Sequence, residues 1–368
     1  MSATEGQGPA PLPAALPRRA VGTLAPSLLG FGGAPLGDLY QRLDESTARA
    51  TVHAALAAGI DLIDTAPLYG RGLSEHRIGA ALRDVPRDSV ILSSKVGRWM
   101  DPTLPPQDGS GYLGGLPHRA VIDYSYDGAM RSFEQSLLRL GTDRIDILLI
   151  HDIDVWTHGA EAEQRFSEAM NGAYRALDRL RSSGAVKAIG IGVNEAQMCE
   201  RFAHAGDFDV MMLAGRYTLL EQGALDSFLP LALRRNIAVL LAGVFNSGIL
   251  ATGARPGAYY DYRAAPPDIL ARVARIGEIC RAHDVALPQA ALAFCAAHPA
   301  VASIVLGAVT PGEISRNVAS LLAPVPSALW RDLKAQGLLP AGAPTPERSG
   351  PAPSASAIAA PLANSRPE

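Results

Sequence analysis

Four ionisable side chains in the first half of the chain stand at or near the ends of short apolar runs: Asp64, Tyr69, Lys95 and His151. Asp64 closes the run 61–64, and Tyr69 follows in Asp64-Thr65-Ala66-Pro67-Leu68-Tyr69-Gly70. Lys95 lies near the end of the run 90–96, and His151 ends the run 145–151. Their chemistry is complementary. A phenol with an ordinary pKa of ~10 exchanges its proton poorly at pH 7, and a neighbouring ammonium lowers that value by stabilising the phenolate. Lys95 would supply the ammonium, and Asp64 would hold it charged and oriented. His151 would hydrogen-bond the oxygen of a bound carbonyl or alcohol. Such a set moves a proton on and off an oxygen. Taken singly, each of these residues also reads as a structural hydrogen-bonding group at a strand end.

The elements that must position them recur regularly. Eight β-branched or leucine-rich runs, at 28–32, 61–64, 90–96, 145–151, 186–193, 210–213, 237–241 and 303–306, alternate with helical patterns. Their mean spacing of about 39 residues fits a strand, a helix and two loops. The runs are continuously apolar, as strands of a parallel sheet covered by helices are. Eight units predict an α/β fold, a closed (β/α)8 TIM barrel in one domain over 20–340. Segments 1–19, proline-rich, and 341–368, rich in Ala, Pro and Ser, are expected to be disordered. In such a barrel the active site lies at the C-terminal ends of the strands, where the four residues fall. Ser125 or Asp127 would cap a helix stopped by Gly141, and a second helix is predicted over 168–182 with Gly184 beyond it. Two connections are long, 97–123 and 242–266, the latter holding Tyr259-Tyr260-Asp261-Tyr262.

With 33 basic and 36 acidic residues, a net charge of −3, the chain of 368 residues has no electrostatic footprint for nucleic acid or an anionic membrane. No segment approaches the ~20 apolar residues of a membrane span. Three cysteines without a C-x-x-C pair suit a reducing, cytoplasmic setting, and the start of the chain has no apolar stretch of the kind a secretory signal carries. His53, His76, His204 and His283 lack paired ligand spacing, so no metal is expected. A small-molecule substrate and a monomer or small homo-oligomer are the expectations for partners.

At the four residues the sequence resembles the aldo-keto reductase superfamily, whose Asp-Tyr-Lys-His tetrad falls on Asp64, Tyr69, Lys95 and His151. The resemblance runs over about residues 20–335. It is carried by Gly59-Ile60-Asp61-Leu62-Ile63-Asp64-Thr65-Ala66, Tyr69-Gly70, Ser74-Glu75, Ser94-Lys95-Val96-Gly97 and Arg139-Leu140-Gly141-Thr142-Asp143. Asp123-Tyr124-Ser125-Tyr126-Asp127 and Leu213-Ala214-Gly215-Arg216-Tyr217-Thr218-Leu219-Leu220 resemble the branch containing D-threo-aldose (L-fucose) 1-dehydrogenases and pyridoxal 4-dehydrogenases. The resemblance implies a barrel that binds a nicotinamide dinucleotide without a Rossmann domain.

The implied cofactor contacts are Gly32, Asn194, Phe245, Asn246, Ser247, Gly307, Glu313 and Asn317. Asn194 is shifted by one from the family's Ser-Asn pair. Phe245 is the aromatic nearest the usual stacking position, with core packing as its alternative. Asn246 and Ser247 would donate to a pyrophosphate. Residues 307–313 carry no Lys or Arg for a 2′-phosphate, and Glu313 would accept from a ribose hydroxyl, so NAD is expected, with NADP the alternative. Glu313 reads equally as an acidic residue favoured at a helix N-terminus. Gly190-x-Gly192-x-x-Glu195 lacks the third glycine of a dinucleotide fingerprint and is read as a strand-end turn. Trp99, Trp156 and Tyr126 are the expected substrate contacts, each with a packing role as its alternative. The expected activity is oxidation of the anomeric carbon of an aldose to a lactone. The alternatives are pyridoxal oxidation, general aldehyde or ketone reduction, and, from another class, a nucleotide-sensing regulatory subunit.

Overall fold

The computed structural model describes residues 15–107 and 111–346. Eight parallel strands form a closed barrel: β1 (Leu29–Gly32), β2 (Leu62–Asp64), β3 (Ile91–Val96), β4 (Ile147–His151), β5 (Ala188–Val193), β6 (Val210–Ala214), β7 (Ala238–Ala242) and β8 (Val301–Gly307). Each strand pairs with the next in sequence, and β8 closes on β1 with Gly32 opposite both Gly307 and Asp64. All eight predicted runs are barrel strands, displaced by at most two residues at an end.

Side-chain parity explains why the chemistry gathers inside the C-terminal mouth. Leu62, Leu149, Met212, Leu240 and Val305 belong to the cluster that fills the barrel. Two residues further along a strand the side chain again points inward, which places Asp64 and His151 above Leu62 and Leu149. Alternate residues such as Ile63, Leu148 and Ile150 face outward, into the larger core between strands and helices.

The helix expected after residue 125 is Tyr126–Leu140, here α1, with the Ser125 hydroxyl accepting from Gly128 N at 3.0 Å and Gly141 leaving it in the left-handed region. The helix expected over 168–182 is instead two, Ala162–Asn171 and Ala173–Ser182, parted at Gly172. A Cβ on Gly172 would stand 2.5 Å from the Tyr124 carbonyl oxygen, so the chain bends there and Ala173 N donates to that carbonyl at 2.8 Å. Both long connections fold back as hairpins, Arg98–Asp101 with Arg119–Ile122 and Tyr259–Tyr260 with Arg263–Ala264.

The folded body begins earlier than residue 20. Leu16 is buried, Arg18 pairs with Asp61, and the Arg19 guanidinium donates to the carbonyls of Ala296, His298 and Val301 at 2.6, 2.9 and 2.6 Å. Val21 and Leu24 join the interior cluster, so this segment plugs the N-terminal mouth and is ordered by what it covers. At the other end Lys334 Nζ holds the Ala343 carbonyl at 2.8 Å. The rest of the two expected disordered segments lies outside the described residues.

His298 beside this plug makes a testable link to pH. Burial and the Arg19 charge push its imidazole down to about 4, and its Nδ1 accepts from Ala300 N at 3.1 Å, which requires the neutral ring. An unfolded histidine protonates near pH 6.5. Its contribution to stability is therefore complete above that pH and is lost as pH falls toward 4. His298→Asn should flatten the fall of melting temperature over that interval, and a slope identical to wild type would remove His298 as its source.

Candidate active site

Asp64, Lys95, Tyr69 and His151 meet at the C-terminal mouth. Lys95 Nζ donates to Asp64 Oδ2 at 2.7 Å and to the Thr65 carbonyl at 2.8 Å, while Ser93 Oγ donates to Asp64 Oδ1 at 2.7 Å. Lys95 and Asp64 are 1% and 2% exposed, so the pair forms the floor of the pocket and not part of its rim. The Lys95 ammonium lies 4.8 Å from the centre of the Tyr69 ring, and His151 meets that ring edge-on with centroids 5.8 Å apart. The four residues singled out in the sequence thus form one connected group.

Their ionisation differs from the expectation in one respect. Burial, reinforced by the Asp64 and Asp152 carboxylates, holds the Tyr69 hydroxyl well above the ordinary tyrosine value of 10.0. Lys95 directs two of its three N–H groups to Asp64 and the Thr65 carbonyl, and burial leaves Tyr69 as the phenol rather than a lowered-pKa phenolate. Burial also raises the Asp64 carboxyl, against the pull of Lys95 and Ser93. Burial, with the Lys95 and Arg98 charges, drives His151 well below its usual value, so its imidazole is neutral.

Sequence reasoning missed several neighbours. Asp152 places Oδ2 3.0 Å from Arg98 Nη1 and Oδ1 3.4 Å from His151 Nε2. Tyr124, buried, donates to the His151 carbonyl at 2.9 Å, and its ring occupies the space that a Cβ on Gly97 would need, 2.3 Å from Cε1. Tyr112, bridged to Leu39, stands 6.2 Å from the Tyr69 ring. Tyr262 at the rim lies 6.5 Å from Trp156. The Asp-Tyr pair at 123–124 and the Asp after His151 were visible as residues, but nothing in their spacing shows which way they point.

The expected substrate contacts divide. Trp156 is on the rim in the short helix Val155–His158, half exposed beside Tyr262 and Arg263. Trp99 does not join the site: it lies under the Arg131 guanidinium of α1 at 4.5 Å, because the strand 98–101 turns alternate residues to opposite faces and gives the inner face to Arg98. Tyr126 opens α1 at the surface, while its neighbour Tyr124 takes the inner place.

The cofactor expectations divide similarly. The structure tests the fit at the ends of β4 and β5. Gly192, paired with His151, leaves open a space that a Cβ would enter 3.5 Å from Lys95 Cε. Asn194 is held by its backbone, N to Asp154 Oδ2 at 3.0 Å and O to Arg216 Nε at 2.9 Å, and its side-chain amide has no partner among the described residues. Gly32 and Gly307 end adjacent strands, and Asn317 lies one helical turn beyond Glu313. Of these, the space beside Gly192 next to the tetrad and the Asn194 amide are the features that fit a bound dinucleotide. Phe245 packs partly against the core. The Asn246 side chain accepts from Thr218 Oγ1 at 2.6 Å and donates to Gly215 O at 3.2 Å, so it ties two loops together. Ser247 Oγ accepts from Tyr262 N at 2.9 Å. Glu313 is engaged locally: Thr310 caps the helix Pro311–Leu322, and Glu313 accepts from Val309 N at 2.8 Å, the helix-terminus role. Glu195 likewise accepts from Val155 N and Trp156 N at 3.1 and 2.9 Å, as a strand-end turn residue does.

Arg216 clasps the second hairpin to the barrel. Its guanidinium pairs with both oxygens of Asp261 at 2.8 and 3.1 Å while also holding Asn194 O. Asp261 and Tyr262 form the two-residue turn with φ of 49° and 62°, a left-handed pair that costs side chains about 1–3 kcal/mol per residue unless contacts hold it. The turn presents Tyr262 to the mouth.

The chain is similar to a pyridoxal 4-dehydrogenase of Microbacterium luteolum, 42% identical with 88% of this chain and 98% of the relative covered. It is similar also to a D-threo-aldose 1-dehydrogenase of a Pseudomonas species, 38% identical with the same 88% and 98% covered. Among solved structures, the glycerol dehydrogenase of Gluconobacter oxydans shares the fold with a TM-score of 0.68 at 22% identity, over 88% of this chain and 97% of that one. The family model for the Aldo/keto reductase family matches residues 28–336. With its tetrad assembled at the mouth of a closed eight-stranded barrel, the chain belongs to the aldo/keto reductase family and is an oxidoreductase of the kind that uses a nicotinamide dinucleotide.

Proposed function

We propose that this protein oxidises the anomeric carbon of a cyclic aldose to the lactone with NAD. The observation that carries this reading is the pairing of charges around the mouth. Lys95 faces Asp64, Arg98 faces Asp152, and Arg216 faces Asp261. A pocket whose charges are spent on one another favours a neutral, hydroxyl-bearing molecule over an anion. The 38% identical relative is named for acting at position 1 of an aldose. NAD is favoured because residues 307–313 carry no cation, and the side chain that stands there, Glu313 at the start of its helix, is acidic.

The chain's residues divide the work. His151, neutral, donates to the substrate oxygen and fixes it beside Tyr69. Tyr69 takes the hydroxyl proton in oxidation and returns it in reduction. Asp64 and Lys95 hold a fixed ion pair over the ring, so little reorganisation accompanies proton movement. A bound nicotinamide dinucleotide supplies the hydride exchange.

A second reading is favoured by a different observation. Tyr112, Tyr262 and Trp156 make an aromatic side to the mouth that suits a flat ring, and the 42% identical relative is named for pyridoxal. Product analysis with NAD decides: a lactone from an aldose supports the first reading, and an oxidised product from pyridoxal with none from any aldose replaces it. With either substrate, kcat/KM for oxidation should rise with pH without a plateau through about pH 9, because Tyr69 must lose a proton held above 10.0. A plateau near pH 7 would mean that Tyr69 is not the base.

A further inference from the structure

The family's tetrad leaves unused the carboxylate nearest its histidine. Asp152 follows His151 at the end of β4 in the left-handed region, φ 52°, with its amide donating to the Gly192 carbonyl at 2.9 Å and its own carbonyl, 3.2 Å from Tyr124 OH, sharing that single hydroxyl proton with the His151 carbonyl. These anchors turn the side chain back toward the pocket. There Oδ2 is in charge contact with Arg98 Nη1 at 3.0 Å, yet Nη1 makes no well-aligned hydrogen bond. Oδ1 stands 3.4 Å from His151 Nε2, too far for a good bond. The carboxylate is 18% exposed and lies between Arg98 and His151 at the mouth.

A neutral His151 offers a donor where the reacting oxygen binds. Asp152 Oδ1 offers an acceptor with free lone pairs beside it, at a separation that two oxygens on neighbouring carbons can bridge. We infer that Asp152 is a specificity-determining residue: Oδ1 accepts a hydrogen bond from a hydroxyl on the carbon next to the reacting carbon while His151 Nε2 binds the reacting oxygen. Arg98 holds the carboxylate in place. The inference deepens the proposed function, since it rests on a hydroxylated substrate, but it is separable from lactone formation. A substrate without the neighbouring hydroxyl leaves Oδ1 covered and unpaired, a penalty that falls on the analogue alone.

The test compares 2-hydroxypropanal with propanal in NADH-dependent reduction. Wild type should favour the hydroxylated aldehyde ~10–100-fold in kcat/KM, the range for a hydrogen bond to a charged group. Asp152→Asn, whose side chain tolerates the left-handed backbone, should lose most of that preference by its effect on 2-hydroxypropanal. Its affinity for NADH, followed by fluorescence titration, should stay unchanged. If burying Arg98 unpaired prevents folding, the double variant R98Q/D152N removes both charges and should show the same loss of preference. The inference is overturned if wild type treats the two aldehydes alike, or if the variant slows both equally, which would make Asp152 a positioning residue for His151. A lost preference together with no lactone from any aldose would sink the sugar reading and leave Asp152 in its role.

Discussion

Tyr69→Phe is expected to lower kcat by about 10²–10⁴-fold while leaving nucleotide affinity close to that of wild type. The substitution removes one oxygen and keeps the ring that touches His151 and Tyr112 and lies under the Lys95 ammonium. No hydrogen bond from the Tyr69 hydroxyl ties one element to another among the described residues, so the fold should lose little, and melting temperature should change by no more than a few degrees. Single-turnover kinetics with saturating cofactor isolate the chemical step. A fall in kcat of less than about tenfold would assign the proton transfer to another group.

Lys95→Met should cost both activity and stability. It strands the Asp64 carboxylate, 2% exposed, with Ser93 as its remaining side-chain partner. Breaking a buried ion pair from one side costs about 3–5 kcal/mol, because the surviving charge must either stay uncompensated or take up a proton. The double variant K95M/D64N should recover most of that stability, since both charges are then gone, without recovering turnover. Chemical denaturation of the two variants provides the comparison. Equal instability in both would place the cost in packing, and recovered turnover in the double variant would take Lys95 out of the chemistry.

Much of this arrangement was legible because a barrel strand imposes strict rules. A continuous apolar run ending in a polar residue marks a strand whose last inward side chain meets the mouth, and Asp64 and His151 satisfy that rule. Lys95 follows Ser93 by the same two-residue step, and Ser93 in turn bonds Asp64. The loops obey no comparable rule. Trp99 was one residue away from the inward position because hairpin 98–122 sets its own parity, which a Gly- and Pro-rich stretch does not announce. Asn246 looked free for a ligand, yet its amide was claimed by Thr218 and Gly215 across a contact that no local pattern reveals. Glu313 had two readings from the outset, and the bond to Val309 N shows the helix-terminus role that the sequence also allowed. Asp152 was hidden by direction: a left-handed φ turns its carboxylate toward the pocket, and an Asp at that position carries no sign of it.

The hairpin at 259–264 is fastened to the barrel through Arg216, Ser247 and the Tyr260–Glu221 hydrogen bond, at residues apart from the tetrad. One side of the rim is therefore held apart from the proton-transfer residues, whereas Asp152 lies directly beside them. The strand ends are locked by barrel closure and tolerate little change, whereas a hairpin held by a few polar contacts can be lengthened, shortened or re-sequenced while the proton-transfer apparatus below keeps its shape. A descendant of this protein could reshape one side of the mouth through one loop without first passing through an inactive form.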